Sequence, residues 1–236
     1  MDVKAVLFDL DGTLLPMDLN VFLETYFGLL AKRLAPHGFE PKPLVEAIWR
    51  CTGAMIKNDG SATNEAVFWN AFSSIYGEQR AKESIPHFEA FYEEEFDKAQ
   101  AVCGLDPRAA QVVKLVQSLG LRAILATSPL YPAIATQKRI RWAGLSPEDF
   151  ELITTYENSC HTKPNPEYYR DIASHLGLSP EECLMVGNDV EEDMVAASVG
   201  MKVFLVTDWL INKHGLDTSP YPQGDFSALE EYLKRN

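Results

Sequence analysis

Cysteine, basic side chains and long apolar runs are all scarce in this sequence of 236 residues. The four cysteines, Cys51, Cys103, Cys160 and Cys183, are scattered and form no C-x-x-C pair. This spacing argues against a zinc site or a disulfide framework and is typical of a protein in a reducing compartment. The cytoplasm is therefore the predicted location.

Positive charge is also in short supply, with 21 Lys and Arg against 34 Asp and Glu and a formal net charge of −13. A nucleic acid or an anionic membrane would be bound by a basic face, so neither is an expected partner. No stretch reaches the roughly 18 apolar residues that a membrane-spanning helix needs. An anionic small substrate would need local cations or a metal to offset the acidic charge.

Short apolar stretches that are typical of buried strands recur along the chain, with helical patterns between them. They span residues 3–8, 121–126, 183–187 and 202–206, with a weaker candidate at 151–155. This alternation predicts an α/β fold in which helices cover both faces of a parallel sheet.

The interval from about Pro16 to Gly104 has a different character, because it contains no strand pattern. Helical patterns lie near residues 19–35, 42–56, 64–76 and 84–100. The sequence therefore predicts an all-α domain of residues 16–104. We expect this domain to be inserted into a discontinuous α/β core of residues 1–15 and 105–236.

Polar side chains lie where the predicted strands end and next to the helices that follow. In chain order they are Asp9, Asp11, Thr127, Ser128, Lys163, Asp189 and Asp193. Each has an ordinary structural explanation, since Asp-Gly favours turns and acids stabilise helix N-termini. Ligands of parallel α/β sheets bind beyond the carboxyl ends of the strands, however, so a single site would explain all of these residues together.

These motifs resemble, in the same order, those of the haloacid dehalogenase-like hydrolase superfamily. DLDGT at residues 9–13 resembles its first motif, Thr127 its second, Lys163 its third, and NDVEED at residues 188–193 its fourth. The helical insertion resembles the cap of that family. The resemblance implies a Rossmann-like parallel sheet as the core.

The resemblance also implies a phosphatase that forms an aspartyl-phosphate. Asp9 would be the nucleophile, and Asp11 would be the general acid and base. Asp9, the backbone carbonyl of Asp11 and Asp189 would hold Mg²⁺. The substrate would be a small phosphorylated metabolite.

The other motif residues would bind the phosphate or support the catalytic carboxylates. Lys163 would offset the carboxylate charge and contact the phosphate, and Asp193 would orient Lys163 or a metal-bound water. The residues implied to contact the substrate are Gly12, Thr127, Ser128 and Lys163.

Two positions depart from the pattern of the superfamily. Ser128 stands where the family often has Asn, and its hydroxyl can still donate a hydrogen bond. Asn188 stands where many members have Gly. We assign Asp189 as the metal ligand because its spacing to Asp193 is then the usual four residues, and Asn188 remains the alternative.

Several alternatives within and outside the family stay open. Asp11 favours a phosphatase or a phosphomutase over the dehalogenases, which lack a carboxylate at that position. A phosphonatase would use a lysine of the cap, for which Lys57 is the candidate. A mutase would use a cluster of basic side chains in the cap, but Arg50, Lys57 and Arg80 are scattered along its sequence. The acidic run at residues 89–97 is interpreted as a solvated helix face. A non-catalytic binding or regulatory protein would also be compatible with the fold.

Overall fold

The computed structural model describes residues 3–235, and a six-stranded sheet lies at its centre. The strands are β1 (Ala5–Phe8), β2 (Arg122–Leu125), β3 (Leu152–Ile153), β4 (Cys183–Gly187), β5 (Lys202–Val206) and β6 (Gln223–Gly224). Their order is β3-β2-β1-β4-β5-β6, and every neighbouring pair is parallel. The predicted α/β class is confirmed. Because the strand order reverses between β1 and β4, a crevice is expected at their carboxyl ends.

Both faces of the sheet are buried, as the apolar strand sequences require. Successive side chains of a strand point to opposite faces. Accordingly, Val6 and Phe8 of β1 belong to one hydrophobic cluster, whereas Ala5 and Leu7 belong to the other. All four of these residues are fully buried. The polar residues that follow β1 are thereby anchored to the most buried strand.

Eight α-helices surround the sheet or lie in the insertion within residues 3–235. They are α1 (Leu19–Leu34), α2 (Pro41–Ile56), α3 (Asn64–Tyr76), α4 (Glu78–Glu94), α5 (Pro107–Ser118), α6 (Ala133–Trp142), α7 (Pro166–Leu176) and α8 (Phe226–Arg235). Short 3₁₀ helices span Ala35–His37, Phe96–Val102, Pro147–Asp149, Pro180–Glu182 and Met194–Val199. In this part of the chain, no helix is both long and apolar enough to cross a membrane.

The four helices α1 to α4 lie within the residues of the predicted insertion, and one of them differs from its predicted range. The pattern near 84–100 is α4, which begins at Glu78 and ends at Glu94. Pro86 lies inside this helix, and the chain from Phe96 to Val102 forms a separate 3₁₀ helix. The buried Ala81 shows that the apolar face extends N-terminal to the proline.

The two connections to the insertion run side by side. Met17 pairs with Cys103 in an antiparallel bridge, and the Gly104 N–H donates to the Pro16 carbonyl at 2.7 Å. This adjacency supports the division into a core of residues 1–15 and 105–236 and a cap of residues 16–104, which stays a prediction. Residues 1, 2 and 236 of the predicted core lie outside the described residues.

Candidate active site

The turn after β1 is held closely against the segment that follows β4. Gly12 has a φ of +85°, and a Cβ added there would lie 2.3 Å from Asn188 Nδ2. Glycine therefore satisfies both the backbone conformation and the close approach. Thr13 Oγ1 lies 3.0 Å from both Asp9 Oδ2 and Asn188 Oδ1. This contact fixes the Asp9 carboxylate at the carboxyl end of the sheet.

Lys163 provides the positive charge beside Asp9. Its ammonium donates to Asp9 Oδ1 at 2.7 Å and to Asp193 Oδ1 at 2.6 Å, and the residue is only 2% exposed. Burial alone would lower the pKa of Lys163, but the Asp193 and Asp9 carboxylates outweigh it and hold the pKa well above its usual value. Lys163 is therefore a buried cation beside Asp9, and its role in offsetting charge stays a prediction.

Asp11 is ion-paired with Arg139 of α6, a residue that the sequence analysis missed. Arg139 is fully buried, its guanidinium lies 4.4 Å from the centre of the Tyr131 ring, and its Nη2 donates to Thr136 Oγ1 at 3.3 Å. Burial raises the pKa of Asp11, and the adjacent Arg139 opposes that rise. The Oδ1 atom of Asp11 is buried and has no hydrogen-bond partner among residues 3–235.

One sequence signal could have revealed Arg139. Helix α6 contains three cations close together, at Lys138, Arg139 and Arg141. Arg139 follows the buried Ala135 by four residues, so helical periodicity places it on the buried face. A cation on such a face requires a partner of opposite charge.

The segment after β4 gives Asn188 and Asp189 different surroundings. The Asn188 side chain is nearly fully buried, contacts Thr13 through Oδ1, and donates from Nδ2 to the Trp209 carbonyl at 2.6 Å. Asp189 Oδ1 accepts hydrogen bonds from the backbone N–H groups of Glu191 at 2.8 Å and Glu192 at 2.9 Å. Its Oδ2 has no hydrogen-bond partner within the described chain. This arrangement supports Asp189 over Asn188 as a metal ligand.

The end of β2 is fixed by hydrogen bonds to the backbone of Thr127. Its carbonyl oxygen accepts from Thr154 Oγ1 at 2.7 Å and from the Tyr168 hydroxyl at 2.9 Å. Thr127 and Ser128 are thereby presented at the same edge as Asp9. The Gly12 N–H donates instead to the Leu15 carbonyl at 2.8 Å, so substrate binding at Gly12 stays a prediction.

A cavity of about 680 Å³ lies between this edge and the helical insertion. The predicted site residues that line it are Asp9, Asp11, Thr127, Ser128, Asp189 and Asp193. Lys163 lies behind Asp9 and does not line it. Lys57 is exposed and is not part of the lining. The topology thus brings together nearly all of the predicted site residues.

The acidic run at residues 89–97 contributes more than a solvated face. Most of its carboxylates are exposed, as predicted, but Glu89 and Glu93 line the mouth of the cavity. Tyr92, between them, is buried and lines the interior. This helix therefore contributes directly to the shape of the cavity.

The oxygen atoms at the sheet end of the cavity suit a hard divalent cation. No group of three or more His, Cys, Asp or Glu side chains that could hold a metal occurs among residues 3–235. The predicted set, however, combines two carboxylates with a backbone carbonyl, and Asp189 Oδ2 is without a hydrogen-bond partner in this part of the chain.

The described lining of the cavity contains eight Asp or Glu side chains and a single Lys or Arg, Lys213. A phosphate would meet strong repulsion there without additional positive charge.

A family comparison agrees with this arrangement. The model of the haloacid dehalogenase-like hydrolase family matches residues 3–200. The chain belongs to this family. The resemblance predicted from the four motifs is therefore confirmed.

Relatives within the haloacid dehalogenase-like hydrolases match over most of their length. YhcW of Bacillus subtilis is 28% identical over 206 residues, covering 86% of this chain and 83% of YhcW. The pyrophosphatase PpaX of Bacillus velezensis is 24% identical, covering 85% of this chain and 81% of PpaX.

A solved structure shares the fold. The 2-haloacid dehalogenase of Pseudomonas syringae is 21% identical with a TM-score of 0.63, and 99% of each chain is covered. At this identity the similarity establishes the architecture and leaves the chemistry to the residues of the site.

Proposed function

We propose that the protein is a Mg²⁺-dependent phosphatase that hydrolyses a small phosphorylated metabolite through an aspartyl-phosphate on Asp9. The observation that carries the proposal is the position of Asp9 itself. Its carboxylate lines the cavity, is held by Thr13 at 3.0 Å, and is held by the Lys163 ammonium at 2.7 Å. The relative PpaX is named a pyrophosphatase, which supports hydrolysis at a phosphorus atom.

In the first step, an oxygen of Asp9 attacks the phosphorus atom, and the bond to the leaving alcohol breaks. Asp11 donates its proton to the leaving oxygen. The Oδ1 atom of Asp11 is available for this role, because it has no hydrogen-bond partner among residues 3–235 while Oδ2 is paired with Arg139, and Asp11 lines the cavity. In the second step, Asp11 accepts a proton from water as that water attacks the phosphorus and releases Asp9.

We propose that Thr127, Ser128 and Lys163 bind the phosphate or offset its negative charge. Lys163 remains protonated throughout, and Asp193 holds it in position through the contact of 2.6 Å. The Asp9 and Asp189 carboxylates and the Asp11 carbonyl would hold Mg²⁺, which supplies electrophilic charge to a phosphate oxygen.

The two alternative reactions of the family find less support in the cavity. A phosphonatase would need Lys57 at the substrate, and Lys57 is exposed outside the lining. A mutase would need a basic cluster for a second phosphate, but neither Arg50 nor Arg80 lines the cavity. We also propose a cytoplasmic location, where Cys51, Cys103, Cys160 and Cys183 would stay free, as they are here.

Trapping of the phosphoenzyme tests the proposal. With Mg²⁺ and an aryl phosphate, acid quench should capture a phosphate on the peptide that contains Asp9, and Asp9→Asn should abolish both the adduct and turnover. The neighbouring Asp18→Asn, outside the cavity lining, serves as a control with retained turnover. Phosphatase activity of Asp9→Asn within tenfold of the wild type would exclude the covalent mechanism.

A further inference from the structure

We infer that the site takes phosphate monoesters of an alcohol that is largely apolar, and that it rejects esters with a second negative charge on the alcohol. This inference rests on the proposed phosphatase function and adds the chemical class of the leaving group. It follows from the walls that the helical insertion contributes to the cavity.

Several aromatic side chains of the helical insertion line the cavity, together with aliphatic ones. Helix α1 contributes Tyr26, α3 contributes Phe68 and Trp69, and α4 contributes Phe88 and Tyr92. The rings support one another, with Trp69 and Phe88 centroids 5.5 Å apart and the Tyr26 and Tyr92 hydroxyls 2.8 Å apart. Because these two hydroxyls bond to each other, they add little polarity to the wall. An apolar or aromatic alcohol would be desolvated favourably against such a surface.

The charged groups on the insertion side of the cavity are all negative among the described lining residues. Glu65 of α3 and Glu89 and Glu93 of α4 line it, and no Lys, Arg or His of the insertion does so. The Glu65 carboxylate has no hydrogen-bond or ion-pair partner in the described chain. Burial raises the pKa of Glu65, as do the nearby charges of Glu157 and Glu89, which indicates a negative potential at this wall.

The single lining lysine lies on the other side of the cavity. Lys213 follows Ile211, which pairs with Asp189, so it belongs to the rim of the phosphate end. It is exposed and would be screened by solvent. An alcohol that carries a carboxylate or a second phosphate would therefore meet Glu65 without a compensating cation. A neutral alcohol would meet no such penalty, and an amine would be tolerated.

Three benzyl phosphates that differ at the para position test the inference directly. They carry a methyl, an aminomethyl or a carboxylate group, and the methylene spacer keeps the leaving-group pKa values similar. We expect kcat/KM for the methyl and aminomethyl esters to exceed that of the carboxylate ester at least tenfold. An aryl phosphate without a para charge is included to report the proposed function by itself.

Charge variants of the wall separate local recognition from the global charge of the protein. Glu65→Lys should raise kcat/KM for the carboxylate ester about tenfold relative to the methyl ester, and Glu65→Gln should raise it less. Glu46→Lys makes the same charge change on α2, at an exposed residue outside the cavity lining, and should leave the ratio unchanged. Thermal unfolding of each variant confirms that the fold is retained.

The outcomes distinguish the two levels of the argument. Turnover of the aryl phosphate together with equal rates, or a preference for the carboxylate ester, would overturn the inference and leave the phosphatase function standing. Turnover of the aryl phosphate alone, with none of the benzyl esters accepted, would also overturn it. A protein that hydrolyses none of the four esters would overturn the proposed function, and the inference with it.

Discussion

Arg139 of α6, which is fully buried, and the partly buried Asp11 of the turn after β1 form an ion pair across 128 residues of sequence. The pair links the helix that follows β2 to the residue proposed to move the proton. It engages Asp11 Oδ2 and leaves the buried Oδ1 without a protein partner. We infer that Arg139 sets the orientation in which Asp11 meets the leaving oxygen.

Removal of Arg139 should strongly destabilise the protein. Arg139→Met leaves the Asp11 carboxylate without its cation, and loss of one partner of a buried pair typically costs about 3–5 kcal/mol. Urea unfolding measures this cost. Arg141→Met, on the exposed face of the same helix, should change the free energy of unfolding by less than about 0.5 kcal/mol. In the double variant with Asp11→Asn, part of the loss should be recovered, whereas purely additive losses would indicate that the two residues do not interact.

The effect of Asp11→Asn should depend on the leaving group. An alkoxide needs a proton in the transition state, whereas a nitrophenolate leaves readily without one. General acid catalysis is typically worth about 10²–10⁴-fold, so the variant should lose that factor on an alkyl phosphate and far less on an aryl phosphate when formation of the intermediate is limiting. Values of kcat/KM on the two esters measure the difference.

The same variant should stall after the first step. Water must lose a proton during hydrolysis of the intermediate, so Asp11→Asn should release one equivalent of nitrophenol quickly and then turn over slowly. Stopped-flow absorbance records this burst. Equal losses on both esters, with no burst, would indicate that Asp11 is part of a metal site and is not the acid and base.

Metal dependence should be traced to Asp189 and not to its neighbour. Chelation of Mg²⁺ should silence the wild type, and Asp189→Ala should raise the Mg²⁺ concentration needed for half-maximal activity at least tenfold. Asn188→Ala is the matched comparison. It should chiefly lower the melting temperature, because Asn188 contacts Thr13 and the Trp209 carbonyl. The reverse pattern would move the metal assignment by one position.

Glu192 should make the stability of the metal-free protein depend on pH. Burial, opposed by Lys163 and reinforced by Asp193, raises the pKa of Glu192 to about 7. Between its unfolded value near 4.5 and pH 7, the folded state binds the extra proton, so stability falls as pH rises through this window. We expect the loss from pH 5 to pH 8 to be about 1–2 kcal/mol smaller in Glu192→Gln, measured by urea unfolding in EDTA. Parallel pH profiles of the two proteins would contradict this.

Much of the site could be predicted because its groups lie at strand ends. Asp9, Asp11 and Asp189 lie within three residues of the ends of apolar strands, and parallel strands present their carboxyl ends at one edge. The placement of Asp9 and Asp189 at this edge follows from the strand order alone, without knowledge of any side-chain contact.

The features that were missed depend on contacts between distant segments. Helical periodicity places Arg139 on the buried face of α6, but local sequence does not indicate that Tyr131 covers it or that Asp11 is its partner. Strand β6 has two residues, Gln223 and Gly224, and no apolar run to predict it. The contribution of Glu89 to the cavity likewise depends on where α4 packs, which helical periodicity cannot specify.

The backbone enters and leaves the helical insertion at a single point, where the Gly104 N–H meets the Pro16 carbonyl at 2.7 Å. Along the backbone, the intervening segment is therefore one continuous excursion from the sheet. Its length or sequence can change without shifting the register that pairs Ala5 with Arg122. Two parts of the site can consequently diverge at separate rates: the groups proposed to break the phosphate ester, and the walls that meet the alcohol. New substrates can then be acquired by exchange of one continuous piece of the gene.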